Sequence, residues 1–446
     1  MTTATNSWSK WIDSMFLSCN TDMSGYNLAV TGLLCLLVVN AESSSLSGDP
    51  YMNATELLTA FSGESATRYE EFFQFSEDAG IVAVEIHAVG TNNTTARYSG
   101  QENAWHEVNN ILRITTADGF EGISGVDSYY DGKFSDEQLR ELQGVASDLV
   151  DFQSLDPVEV GAMLERTRPD LSDAARSSID IALWDLAASK AGLPLYRLLG
   201  AKRDSIEPYS SLRFYESHSE HIDAVNKYAK LGYKTFKFHV WGQIEEDLAL
   251  VALVQQTFAD APYRFMIDLE GVYGFEDALT LGRAMDEGLF VWLEGPVNDE
   301  YFEQYRDLRS RLKIQIIPAG YNNYSKAFIE QGIEAGSWDA GRFDATVVGG
   351  ISKALELLMI ANDADLPIEI QSWGHSLEQA ANLHLMLANE RTTYFEASMP
   401  KEAYEFGMKN GNLLDQGRVV APDRTGLGIE VDWDQLATAD FYISSK

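Results

Sequence analysis

Cysteine is nearly absent from this sequence: Cys19 and Cys35 are the only two in 446 residues. They cannot staple the body of the chain, which reads as folding without disulfides, as in a reducing compartment. Basic residues are scarce too, with 33 Lys and Arg against 68 Asp and Glu and a formal charge of −35. Such a field repels nucleic acid and anionic membranes, so neither is expected as a partner. It also repels an anionic substrate unless a metal or a cluster of cations reverses the sign inside a pocket. The apolar run NLAVTGLLCLLVVNA (Asn27–Ala41) is too short for a membrane span. It has the look of a secretory apolar region ending in Val-Asn-Ala. No Lys or Arg lies between Met15 and this run, however, so cytoplasmic residence is expected, with export as the alternative. Neither GxGxxG after a strand nor GxxxxGK[ST] occurs, and nucleotide-phosphate binding has no motif behind it.

What is present is globular: 45% hydrophobic and 11% aromatic residues. Residues 1–80 read as a weakly structured leader with a possible helix around Ala66–Phe75. From Ile81 to Gly200, strand-like IVAVEIHAVG and ILRITTADGFEGISG precede helical DEQLRELQGVASDLV, PVEVGAMLERTR and SSIDIALWDLAASKAG. That order predicts an α+β domain. From residue 201 to 432 short apolar strands alternate with amphipathic helices at a spacing of roughly one βα unit. The strands are expected at Ile206–Leu212, Thr235–Trp241, Tyr263–Asp268, Phe290–Glu294, Lys313–Gly320, Gly341–Ala345, Pro367–Ser372 and Tyr394–Ala397. Eight such strands with right-handed crossovers close into a barrel. Residues 433–446 read as a tail.

In a closed parallel barrel the C-terminal end of every strand faces one mouth, so the residue ending each strand carries information. Period-two alternation puts Lys237 and His239 on one face, and Asp268 with Glu270 on another. Glu294 ends the fourth strand, Asp344 lies in the sixth, and His375 follows the seventh. An ammonium, two imidazoles and several carboxylates at one rim are what acid–base chemistry on a carboxylate requires. Arg213, just past the first strand, is a candidate partner for a substrate carboxylate. Trp373 is a candidate pocket wall. The stretches Gly122–Gly132 and Thr91–Gln101 are candidate selectivity loops.

Several runs resemble the mandelate racemase and muconate-lactonizing branch of the enolase superfamily. They are ARSSIDIALWDLAASKAGLPLYRLLG, GYKTFKFHVWG, MIDLEG, VWLEGP and FDATVVGGISKAL, with VVAPDRTGLGIEV fitting a closing strand that returns to the N-terminal domain. The resemblance spans about Ile81 to Asp432. It implies a (β/α)7β barrel under an N-terminal α+β capping domain, a symmetric homo-oligomer, and a small carboxylic acid as substrate. It also implies a divalent cation, usually Mg2+, on acids ending the third to fifth strands. Asp268 and Glu294 match the first two ligand positions, Lys237 the first lysine of a Lys-x-Lys pair, and Asp344 with His375 an Asp–His dyad.

Three departures stand out. His239 replaces the second lysine, and Glu294-Gly295-Pro296 replaces Glu-Glu-Pro. Tyr321 stands where the third metal-binding acid belongs. A protonated phenol is a poor Mg2+ ligand, so Glu270 is the candidate substitute and Tyr321 a candidate substrate contact. The expected chemistry is removal of the proton α to a carboxylate, most simply in dehydration of a sugar acid or related hydroxy acid. In it Lys237 or His239 serves as base and His375 as acid. Racemisation, epimerisation or cycloisomerisation is the alternative. A catalytically silent barrel that binds a small acid or a protein partner is a reading of another class.

Overall fold

In this computed structural model the described residues are 52–66, 69, 73, 80–90, 108–127, 136–152, 154–286, 288–320, 325–411, 413–436 and 441–445. All belong to one compact unit, Tyr51–Lys446. Asn27–Ala41, Thr91–Gln101, Tyr321 and the end of the Gly122–Gly132 stretch lie outside them. No helix among the described residues is long and apolar enough to cross a membrane.

The first element, α1 (Ala54–Ser62), falls inside the expected leader and corrects it. Asn53 and Glu56 form a capping box, and the Ala54 amide donates to Asp156 at 2.9 Å. Leu57 and Leu58 are buried in the main core. A nine-residue helix has little periodicity to read and draws its stability from this packing rather than from propensity. Leu58→Ala should therefore destabilise the chain by about 2–5 kcal/mol; a midpoint of chemical unfolding that does not move would return α1 to the leader.

The capping domain follows: β1 (Ile81–Gly90), β2 (Val108–Thr116) and β3 (Glu121–Asp127), then α2 (Asp136–Asp151), α3 (Pro157–Thr167) and α4 (Asp173–Lys190). The strands pair antiparallel in sequence order. Helix α4 is apolar on both sides, as a helix buried between two layers must be. Ile179, Ala182, Leu183 and Leu186 pack into the capping core, while Ile181, Trp184 and Ala188 pack into the barrel core.

Two aspartates on α4 tie the layers together. Asp180 accepts from the Ser352 amide at 3.0 Å. Asp185 accepts from Ile123 of the capping sheet at 2.8 Å and from Leu427 at 2.6 Å. Burial pushes both carboxyls up to about 7. The folded chain thus holds protons that the unfolded chain releases near the ordinary carboxylate range. Their contribution is full below that range and fades as pH rises through about 7. Urea midpoints should fall between about pH 5 and about pH 8, and Asp185→Asn should lessen the fall; an equal fall in the variant would refute the assignment.

After the short α5 (Leu195–Leu198), the barrel runs β4 (Ser205–Ser211), α6 (His218–Ala229), β5 (Thr235–His239), α7 (Ile244–Thr257), β6 (Arg264–Asp268), α8 (Phe275–Met285), β7 (Phe290–Glu294), α9 (Phe302–Arg311), β8 (Gln315–Ile317) and α10 (Lys326–Ala335). The sixth and seventh expected strands are extended segments joined by a single bridge, Gly341 to Ile368. Backbone bonds from Glu369 to Gly341 (2.9 Å) and Gln371 to Phe343 (2.8 Å) hold them. Helices α11 (Ile351–Asp363) and α12 (Ser376–Ala388) lead to β9 (Tyr394–Ser398), which pairs in parallel with β4. Strand β5 is buried on both faces, as parallel barrel strands are.

Outward side chains such as Phe236, Phe238, Phe265 and Leu293 meet the helices. Inward Tyr209, Met266, Trp292, Ile317 and Ala340 form an apolar floor. The chain ends with β10 (Leu413–Asp415), β11 (Arg418–Val420), α13 (Trp433–Leu436) and β12 (Phe441–Ser445). The strand that returns to the capping sheet is β12, paired with β1. It lies within the expected tail, whereas β11 pairs with β4 of the barrel.

Candidate active site

Above the apolar floor the barrel interior turns ionic, because the inward positions nearest the mouth carry charge. His239, Asp268 and Glu294 lie on one rung of the parallel register. Lys237, one inward position lower, donates to both oxygens of Glu294 at 3.1 Å and to Asp268 at 3.4 Å. Its ammonium also lies 2.8 Å from Glu396. Burial works against that charge, but Glu294 and Glu396 outweigh it and hold Lys237 well above the usual ammonium range. Lys237 is therefore a fixed cation here and not a free base.

His239 donates from Nδ1 to the Leu212 carbonyl, 2.7 Å away. A carbonyl only accepts, so Nδ1 carries the proton and Nε2 keeps its lone pair. Nε2 points toward Asp268, at 3.9 Å. Burial lowers the affinity of His239 for a second proton, and the Lys237 ammonium lowers it further. Trp373 stands edge-on to this ring at 5.4 Å and walls it on one side.

Two buried members of the cluster were not among the residues picked from the sequence. Glu396 on β9 accepts from Ser211 at 2.8 Å and from Arg342 at 2.7 Å. Arg342 also donates to the Tyr209 hydroxyl at 3.2 Å, and its Nε lies 2.8 Å from Glu294 Oε1. The signal was there for both: Arg342 shares a face with Asp344, and Glu396 shares one with Tyr394 at the end of the eighth strand.

Three other expected members, Arg213, Asp344 and His375, stand outside this ion network. Arg213 is exposed, with its guanidinium over the Tyr215 ring at 5.3 Å, and makes no ion pair in the cluster. Asp344 and His375 do not form a dyad. Asp344 Oδ1 instead accepts from the Thr346 amide, the Thr346 hydroxyl and Asn382, each at 2.8 Å. These donors sit on its own turn and on α12, and neither ring nitrogen of His375 finds a hydrogen-bond partner among the described residues. His375, the residue before α12, packs edge-on against Tyr404 at 5.8 Å. Burial lowers it to about 4, so it is neutral at neutral pH.

Glu270 takes a left-handed backbone, φ 48°, and its amide donates to Asp268 at 2.8 Å. Gly295, the departure from Glu-Glu-Pro, is also left-handed at φ 53°, and a Cβ there would come within 2.9 Å of Ala319. Burial first, and then the charge of Asp268, push Glu270 up to about 8. Burial and the Asp268 charge raise Glu294, despite Arg342 and Lys237, while the Lys237 ammonium, with the Glu270 amide, overcomes burial to lower Asp268.

Four carboxyls (Asp268, Glu270, Glu294, Glu396) thus face two permanent cations (Lys237, Arg342), a deficit of two positive charges. Raised proton affinity at Glu270 and Glu294 answers it. Two charges and oxygen donors suit one divalent cation of the Mg2+ type. The acids are nonetheless not gathered into a cage: among the described residues no three acidic or imidazole side chains converge as metal ligands. Lys237 bridges Asp268 and Glu294, and Arg342 takes a further side of Glu294.

Residues 88–200 match the mandelate racemase/muconate lactonizing enzyme N-terminal domain, and residues 220–435 match the enolase C-terminal domain-like family. A solved structure from Pseudovibrio sp., assigned to the mandelate racemase/muconate lactonizing type, superposes with a TM-score of 0.79 at 32% identity, covering 82% of this chain and 99% of that one. Arabinonate dehydratase of Saccharolobus solfataricus is 26% identical over 60% of this chain and 73% of its own. A Salmonella typhimurium L-talarate/galactarate dehydratase variant, liganded with Mg and L-glucarate, shares the fold at a TM-score of 0.73 and 22% identity, covering 91% of this chain and 98% of that one. Further relatives bear the names of a cycloisomerase and an epimerase. The chain belongs to the mandelate racemase/muconate lactonizing enzyme family of the enolase superfamily.

Proposed function

We propose that the chain removes the proton α to the carboxylate of a small hydroxylated acid and then expels the β-hydroxyl, dehydrating a sugar acid. The observation that carries this reading is His239: a buried neutral imidazole with its lone pair at Nε2, beside a fixed ammonium and a cluster of carboxylates. As the Cα–H bond breaks, the proton passes to Nε2 and the electron pair moves into the carboxylate as an enediolate. Lys237 stabilises that charge as a preorganised cation in a site of low dielectric. A divalent cation, when held by Asp268 and Glu294 with Glu270, supplies Lewis-acid charge to the same carboxylate. Arabinonate and L-talarate/galactarate dehydratases among the relatives favour dehydration. The departing hydroxyl needs a proton, for which His375 is the candidate. Held at about 4 by burial, it must gain that proton after an anionic substrate has entered and raised its affinity.

Epimerisation is the second reading. It is favoured by the neutrality of both His239 and His375, since two bases can exchange one proton. Incubating hydroxy acids in D2O with Mg2+ separates the cases. Loss of the Cα–H signal with a 2-oxo-3-deoxy product marks a dehydratase, and loss with retention of the carbon skeleton and hydroxyls marks an epimerase. No exchange across a panel of sugar acids and their epimers would leave the silent barrel standing.

A further inference from the structure

We infer that Arg342 is a built-in competitor of the divalent cation: its guanidinium holds Glu294 and must let it go before an ion can bind there. The inference rests on the reading of Asp268 and Glu294 as metal ligands and adds a residue that opposes them.

Arg342 is fully buried and spans two carboxylates, which anchor it unequally. At Glu396 it makes a directed hydrogen bond of 2.7 Å, and the Tyr209 hydroxyl takes a second at 3.2 Å. At Glu294 the contact is as close, 2.8 Å, but Nε–H finds no acceptor of hydrogen-bond geometry. Charge alone holds that end. A small shift of the guanidinium frees Glu294 Oε1 while the bonds to Glu396 and Tyr209 persist.

The backbone is shaped around the same side chain. Gly320, at φ 77°, lies where a Cβ would stand 2.8 Å from Arg342 Cγ and 2.9 Å from its Cβ. Any residue but glycine would push Arg342 from its place. The next residue is Tyr321, where the family resemblance calls for an acid. This chain therefore lacks an acid after β8 and sets a cation against Glu294. Both features act in the same direction, toward a weakly held ion.

Calorimetric titration of Mg2+ and of Mn2+ into the full-length chain, without substrate and in high salt to suppress binding to the acidic surface, tests this. Arg342→Gln should tighten binding by about tenfold or more, the worth of one charge-assisted contact. The double variant Arg342→Gln/Glu294→Gln should lose the gain. Should Arg342→Gln fail to fold by circular dichroism, the double variant Arg342→Gln/Glu396→Gln decides. It removes the cation together with the carboxylate it would strand, leaves Glu294 in place, and should tighten binding by about threefold or more. Unchanged or weaker affinity, no binding by any form, or a gain that survives the loss of Glu294 would each overturn the proposal. The Cα–H exchange assay judges the proton-abstraction reading separately.

Discussion

His239→Asn is expected to cut Cα–H exchange by about 10²–10⁴-fold while leaving the fold intact. The asparagine amide can still donate to the Leu212 carbonyl, so the hydrogen bond that positions the ring is kept. What disappears is the lone pair at Nε2. Lys237 cannot take over, because Glu294 and Glu396 hold it protonated. Exchange measured by NMR in D2O should therefore collapse at unchanged melting temperature. If the variant exchanges within about threefold of wild type, His239 is not the base. The position would then be a structural one that happens to carry an imidazole.

Lys237→Met should remove activity and, unlike the histidine change, also damage the fold. The substitution keeps the length of the side chain and deletes the charge that neutralises Glu294, Glu396 and Asp268. Breaking a buried ion network from one side leaves uncompensated carboxylates and costs about 3–5 kcal/mol. A second change separates structure from chemistry. Adding Glu396→Gln removes one of the stranded charges and should recover part of the stability. It should recover none of the exchange, since the enediolate still lacks its cation. Recovery of both would mean that Lys237 serves the fold alone. Full stability in the single variant would mean that the network is not electrostatically strained as its geometry indicates.

Much of this site could be read one strand at a time. The period-two alternation of TFKFH and of MIDLE placed Lys237, His239, Asp268 and Glu270 before any coordinates, because strand periodicity is local. Glu294 followed from the same rule, at the end of FVWLE. Glu396 obeys the same alternation, but it sits inside the run YFEA rather than at its end, where rim residues are expected. Arg342 was harder. A lone arginine in GRFDATVVGG has no signature of burial, and what buries it is a pair of carboxylates from β7 and β9. The Asp344–His375 pairing failed for the converse reason: motif order brings two residues to one rim but does not say which donors a carboxylate will meet. Asp344 meets Thr346 and Asn382.

The sequence by itself determined the family, the barrel with its capping domain, and which strand ends carry charge. These depend on hydrophobic periodicity, strand spacing and short motifs, all properties of neighbouring residues. It left undecided the helix Ala54–Ser62 and the strand Phe441–Ser445, whose stability comes from partners far along the chain. Tertiary structure also decided the protonation of the site. The Nε2 lone pair of His239 is fixed by the Leu212 carbonyl, just past the end of β4. The charge on Lys237, and the grip of Arg342 on a candidate metal ligand, are fixed by carboxylates from three other strands. Electrostatic energy in a buried site depends on distance through space, and that distance exists only once the barrel has closed.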